Sequence, residues 1–259
     1  MKKLLVSFAA LIALASPVSA SELKYTMHME AKAGANAASD PMSAMAGGML
    51  TQMFPPGGLD QIVIVGEKGT RSEQKQDMGP IKAGSVMLVK PDGTQYVLDP
   101  VAKTYYKMPA MPPEMAGMMA QMNPKLTVGK TGVFENIDGM TCEHITMNMT
   151  MAIPGIDPSQ LPPGMPAELT MVLDMWLSDA VKVPASAGAA SMGMVKQFGF
   201  DQLPELKKLA ADGRLPVKTV MSMFGVEMMM TVKDIKTEAA DPALFEIPKD
   251  YKEIPPPGL

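Results

Sequence analysis

The sequence predicts a mainly β fold with some helix: a curved antiparallel sheet forming an incomplete barrel, with a few methionine-rich helices over its concave face. Three observations lead there. Most of the chain after residue 20 alternates apolar and polar residues with a period of two, the pattern of half-buried strands. Gly, Pro and Asp-Gly breaks punctuate that alternation at hairpin spacing. Methionine reaches 29 of 259 residues, and these fall on single faces whether the local period is that of a strand or of a helix.

Taken in order, residues 1–20 place Lys2 and Lys3 before an apolar stretch, Leu4 to Ala15, and a small-residue end at Val18-Ser19-Ala20. That is the pattern of a signal peptide cleaved near Ala20, so a soluble periplasmic or secreted protein is expected. The apolar run is too short to span a bilayer, and no later segment approaches the ~20 residues a transmembrane helix needs. Residues 21–259 then make one domain, with helical insertions near 33–58, 108–124 and 185–213. Leu23, Tyr25, Met27 and Met29 share the face of a first strand. Ile62 to Gly66 and Arg71 to Asp77 flank a turn at Glu67-Lys68-Gly69. Val86 to Lys90 and Thr94 to Leu98 flank Pro91-Asp92-Gly93, and Lys103 to Lys107 follows. Leu126 to Glu135 pairs with Thr141 to Met151 across Asp138-Gly139. Glu168 to Ser178, Pro216 to Phe224 and Val226 to Lys236 complete a meander of roughly ten strands.

Helices sit in the insertions. Asp40-Pro41 supplies an N-cap and a first-turn proline before Met42, Met45, Met49 and Met53. Pro112-Pro113 opens a second, in which Met115, Met118, Met119 and Met122 line one face. A third spans about Ala185 to Phe198, and a fourth runs from Leu203 to Ala211 until Asp212-Gly213 stops it.

The strand methionines are equally ordered. Ile145, Met147, Met149 and Met151 alternate with Thr146, Asn148 and Thr150; Met171 and Met175 alternate with Thr170 and Asp174; Met228 and Met230 fall between Val226 and Val232. Methionine packs about as well as leucine, at a difference under ~1.5 kcal/mol, but is more deformable. Its repeated use points to an interior that adapts to a lipophilic guest, lined by Met27, Met29, Met45, Met49, Met115, Met118, Met119, Met122, Met147, Met149, Met171, Met175, Met228 and Met230. Ordinary core packing explains any one of them as well. A Cu(I) site is the alternative, because thioethers and thiolates select soft metals; its best constellation is Met140, Cys142 and His144, which alternate onto one strand face. Otherwise no cofactor is expected.

The net charge of −4, more acidic once Lys2 and Lys3 leave with the leader, argues against nucleic acid. Cys142 is the single cysteine, so no internal disulfide forms. Catalytic motifs fail on inspection: "VGKTGV" has Pro124 where a phosphate loop needs its upstream glycine, Glu143-His144 has no second histidine at zinc-protease spacing, and Ser85 lacks the second glycine of a nucleophile elbow. A non-catalytic monomer is expected, with an envelope protein as alternative partner.

Four stretches carry a resemblance: "RSEQKQDM" (Arg71 to Met78), "YVLDPVAKTYYKMP" (Tyr96 to Pro109), "IDGMTCEHITM" (Ile137 to Met147) and "DPALFEIPKDYKEI" (Asp241 to Ile254). Together with "MWLSD" at Met175 and "LPVKTVMSM" at Leu215, they resemble an uncharacterised bacterial periplasmic family, domain of unknown function 4412. That family is itself similar to the LolA/LolB/LppX lipoprotein-carrier superfamily. The resemblance implies a half-barrel with helices over its mouth and acyl chains held between. It also implies that Asp241 and Pro242 start a short helical turn, that Phe245 plugs an apolar gap, and that Pro248 and Tyr251 fix the last segment against the sheet.

Overall fold

The computed structural model describes residues 22–33, 54–55, 57–78, 81–109, 112, 114, 117, 121–152, 168–184, 204–223 and 226–256. Among these the chain forms β1 (Glu22–Ala33), β2 (Leu59–Gly66), β3 (Gly69–Gln74), β4 (Val86–Val89), β5 (Gln95–Asp99), β6 (Thr104–Lys107), β7 (Lys125–Ile137), β8 (Met140–Ala152), β9 (Glu168–Lys182), α1 (Pro204–Asp212), β10 (Arg214–Met223), β11 (Val226–Glu238), a 3-10 turn (Pro242–Phe245) and β12 (Lys252–Glu253). All twelve strands join one sheet in the order β12-β6-β5-β4-β3-β2-β1-β11-β10-β9-β8-β7.

That order refines the expected meander. β1 pairs with both β2 and β11, as the first and last strands do in a closed up-and-down barrel. The break lies instead between β6 and β7, which follow one another in sequence but sit far apart in the sheet. Ten inter-strand steps separate them, which at about 4.8 Å each would be roughly 48 Å in a flat sheet. Residues 108–124 must bridge that distance, and Glu114, Gly117 and Gln121 within them have helical backbone. A helix over the predicted Pro112 to Met122 with extended flanks reaches only about 40 Å. The open sheet therefore curves.

Local sequence explains the hairpins. Asp138 and Gly139 have φ values of +48° and +82°, the left-handed pair that a two-residue hairpin turn demands. Gly213, at φ +68°, ends α1 where the sequence predicts. β12 pairs in parallel with β6; its Lys-Glu dipeptide carries no alternation, so periodicity could not reveal it. The exposed edge strand β7 is interrupted between Lys130 and Phe134, an irregularity that blunts an edge otherwise open to pairing.

Two apolar clusters anchor the halves of the sheet. Leu23, Val63, Val65, Leu215 and Val232 pack on one face near the β2–β3 end. Val86, Leu88 and Leu98 pack on the other face, where Ile247 and Tyr251 cover them. The closing segment behaves as its resemblance implied. Asp241 caps the 3-10 turn by accepting from the Ala243 N–H at 2.9 Å, Phe245 is 2% exposed, and the Tyr251 N–H donates to the Pro248 carbonyl at 3.0 Å. Among the described residues, no helix is long and apolar enough to cross a membrane.

Candidate functional site: the methionine face

Strand register shows which predicted residues share a surface, because directly paired residues point to the same side of a sheet. One row runs Ile145–Met175–Thr219–Met230–Met29–Leu59 across six strands. The next runs Met147–Leu173–Met221–Met228–Ala31. Beside them Leu126 pairs with Met149 and Met149 with Met171, while Met27 pairs with Val232. The fold thus brings Met27, Met29, Met147, Met149, Met171, Met175, Met228 and Met230 onto one face. Met122 is half-buried, and its carbonyl accepts from the Ala152 N–H at 2.8 Å at the edge of that face. Met45, Met49, Met115, Met118 and Met119 lie outside the described residues.

The face is graded along the strands. At the end carrying the β2–β3 and β7–β8 turns, its residues are aliphatic and closely packed: Leu23, Val65, Leu177 and Leu215 are each 3% exposed. Salt bridges rim this end. The Arg214 guanidinium meets Glu143 at 2.7 Å and Asp212 at 2.6 Å, and these contacts hold both carboxyls below their usual range. Toward the opposite end, from which residues 34–58 and 153–167 depart, the aliphatic Leu59 and Val226 stay buried at 0% and 2%, but the methionines Met29, Met171, Met221, Met223, Met228 and Met230 are only half-buried. Met147, Met149 and Met175 lie deeper at 5–6% exposure, and Leu209 of α1 packs on their cluster. On the β2–β5 half the face mixes polar and apolar side chains; a recess of about 40 Å³ there, lined by Gln61, Ser72 and Gln74 beside Met78, Met87 and Val97, suits a water molecule rather than a chain.

Met221 and Met223 belong to this face although the sequence reading did not select them. The signal was obscured by a bulge between Pro216 and Lys218, which turns Val217 to the other side against Cys142 and Trp176. Leu215, Thr219, Met221 and Met223 stay on the methionine face, and Val217 between them leaves it.

The opposite face holds the alternative metal residues. Met140, Cys142 and His144 do share one side of β8, but each is engaged. Cys142 is fully buried; burial pushes its thiol pKa up, which disfavours the thiolate a soft metal binds. The His144 ring stacks on Trp176 with centroids 4.5 Å apart, and its Nε2 lies 3.0 Å from Asp174 Oδ1. Lys218 Nζ lies 4.2 Å from the Trp176 ring centroid. Among the described residues, no group of three or more His, Cys, Asp and Glu side chains is placed to hold a metal ion. Cys142 is expected to resist a maleimide in the native protein and to react only at the rate of unfolding, as time-resolved mass spectrometry would show; rapid native labelling would contradict the packing.

On the same side, His28 links β1 to β2. Its Nε2 lies 3.0 Å from Glu30 and its Nδ1 2.7 Å from Asp60; two carboxylates can both accept only from the protonated ring. The Glu30 and Asp60 contacts raise the His28 pKa above its ordinary 6.5. Asp60 is held low by His28, and Glu30 by Lys32 first and then His28. Lys233 also adds its charge to Asp60. A raised histidine pKa stabilises the fold fully below the unfolded value and loses that contribution as pH rises through the folded one. The depressed carboxyls contribute above their unfolded values and lose it as pH falls. The urea midpoint is therefore expected to decline as pH rises past neutrality, and His28→Asn is expected to flatten that decline; an unchanged slope would remove His28 from the account.

None of the curated proteins compared matches this chain. Among solved structures, one described as "Structure of PNGF-II in C2 space group" is similar over 91% of this chain and 31% of its own, at 13% identity and a TM-score of 0.38. The chain thus spans about a third of that protein's length. LprF from Mycobacterium bovis is similar over 88% of this chain and 90% of its own, at 15% identity and a TM-score of 0.28. The family model described as "Domain of unknown function (DUF4412)" matches residues 46–251, most of the chain that builds this sheet, and the protein belongs to that family.

Proposed function

We propose that the protein is a non-catalytic periplasmic carrier that takes up an acyl chain or another lipophilic molecule against its methionine face. The observation that carries this reading is the grading of the face. Its aliphatic end is packed to a few per cent exposure, whereas the methionines toward its other end are half-buried. A surface that only needed to be filled would gain nothing from thioethers, since leucine packs comparably. One that accommodates a guest of variable shape gains from their flexibility. The similarity of the sequence motifs to the lipoprotein-carrier superfamily and the leader-like residues 1–20 support the same reading and its compartment.

Each apolar side chain removed from water contributes ~1.5–3 kcal/mol, so a few methionine contacts suffice for reversible binding. The deciding experiment is a native mass spectrum of protein released gently from the periplasm. The expected result is an adduct of lipid mass that disappears on denaturation. Bare protein would overturn the reading, and a copper adduct would replace it with the thioether-metal alternative.

A further inference from the structure

We propose that Met29, Met221, Met223, Met228 and Met230 form a reversible sulfoxidation site through which a hydroperoxide empties the face of its ligand. The inference rests on the lipophilic-ligand reading and supplies its regulation. These five methionines are half-buried, while Met147, Met149 and Met175 of the same face are 5–6% exposed. Reaction with a small oxidant follows access to the sulfur, so the grading of the face is also a grading of reactivity. Val63, Val65 and Val232, at the closed end, are inert to the same reagent.

The five are also adjacent. Met221 pairs directly with Met228, and Met230 with Met29, so a change at one sulfur is felt by its cross-strand neighbour at about 5 Å. In the reaction a thioether lone pair attacks one oxygen of the hydroperoxide. The S–O bond forms as the O–O bond breaks, and a proton passes to the departing oxygen, which leaves as water or alcohol. The sulfur loses two electrons and the peroxide gains them. The product is a polar sulfoxide that needs hydrogen-bond donors. The two rows offer one side-chain donor, the Thr219 hydroxyl, itself 7% exposed. The sulfoxides are then satisfied by water, and a wetted face no longer favours an acyl chain.

The test uses the full mature chain, dilute hydrogen peroxide and dansyl-labelled undecanoic acid as the probe. Peptide mass mapping over time is expected to show the five methionines gaining one oxygen about tenfold faster than Met147, Met149 and Met175; equal or reversed rates overturn the site. Probe affinity is expected to fall at least about tenfold on oxidation and to return after treatment with methionine sulfoxide reductases. Undiminished affinity with the five oxidised overturns the release step. Combined replacement by Met29→Leu, Met221→Leu, Met223→Leu, Met228→Leu and Met230→Leu conserves volume. For that variant the ratio of its own affinities before and after oxidation is expected to stay within about twofold; a full loss would place the switch elsewhere. Reduced protein that never binds the probe refutes the ligand reading and the release step together, while the peptide map still decides the oxidation site by itself.

Discussion

Replacing Met221 and Met228 together by aspartate is expected to lower affinity for a fluorescent fatty acid by about a hundredfold or more, while Met229→Asp leaves it nearly unchanged. The two residues pair directly across β10 and β11, in the middle of the row that begins at Met147 and ends at Ala31. Two adjacent carboxylates there keep their hydration only while the face is empty. Covering them with an acyl chain removes that water without supplying a partner, at a cost on the order of 3 kcal/mol or more, which corresponds to about two decades in Kd. Met229 is also a half-buried methionine, on the same strand as Met228. It pairs with Val220 and Glu30 and so points to the opposite face. The comparison separates the side of the sheet from the loss of a methionine as such. Fluorescence titration measures it, with circular dichroism showing that the sheet persists; equal losses in both variants would refute the assignment of the face.

Gly69→Ala is expected to destabilise the fold by about 3 kcal/mol or more, with a large fall in the urea midpoint. Gly69 closes the β2–β3 hairpin opposite Gly66 at φ +129°, a region that residues with a side chain rarely occupy. A Cβ there would also collide with the backbone carbonyl of Val89 on the neighbouring β4. The collision is with main chain, so relief requires β3 and β4 to separate, and those strands hold Val86 and Leu88, each 1% exposed. Gly139→Ala is the informative contrast. Its φ is +82° but nothing lies within 4 Å of an added Cβ, so it carries the conformational strain alone, about 1 kcal/mol. Equal midpoints for the two variants would remove the steric part of the argument.

Much of this architecture was legible in the residues. Period-two alternation located the long strands, since a strand with one face in a core must repeat every second residue. Asp138-Gly139 identified the β7–β8 turn because few other pairs tolerate two left-handed residues. The methionine faces of β1, β8, β9 and β11 followed from the same parity. Three features were not legible. The two residues of β12 are too short to show a period. The bulge in β10 turns Val217 away from the other odd-numbered residues and obscured Met221 and Met223. The placement of the gap between β6 and β7 depends on β1 pairing with β11, a contact between residues about two hundred positions apart.

By itself, then, the sequence determined the strands, their turns and which side chains alternate together, because these depend on backbone geometry within a few residues. Only the tertiary structure decided that the several methionine faces are one face, that its aliphatic end is closed and its methionine end half-open, and that Cys142 and His144 are occupied on the other side. Those outcomes depend on the register between strands distant in sequence, which no local pattern encodes.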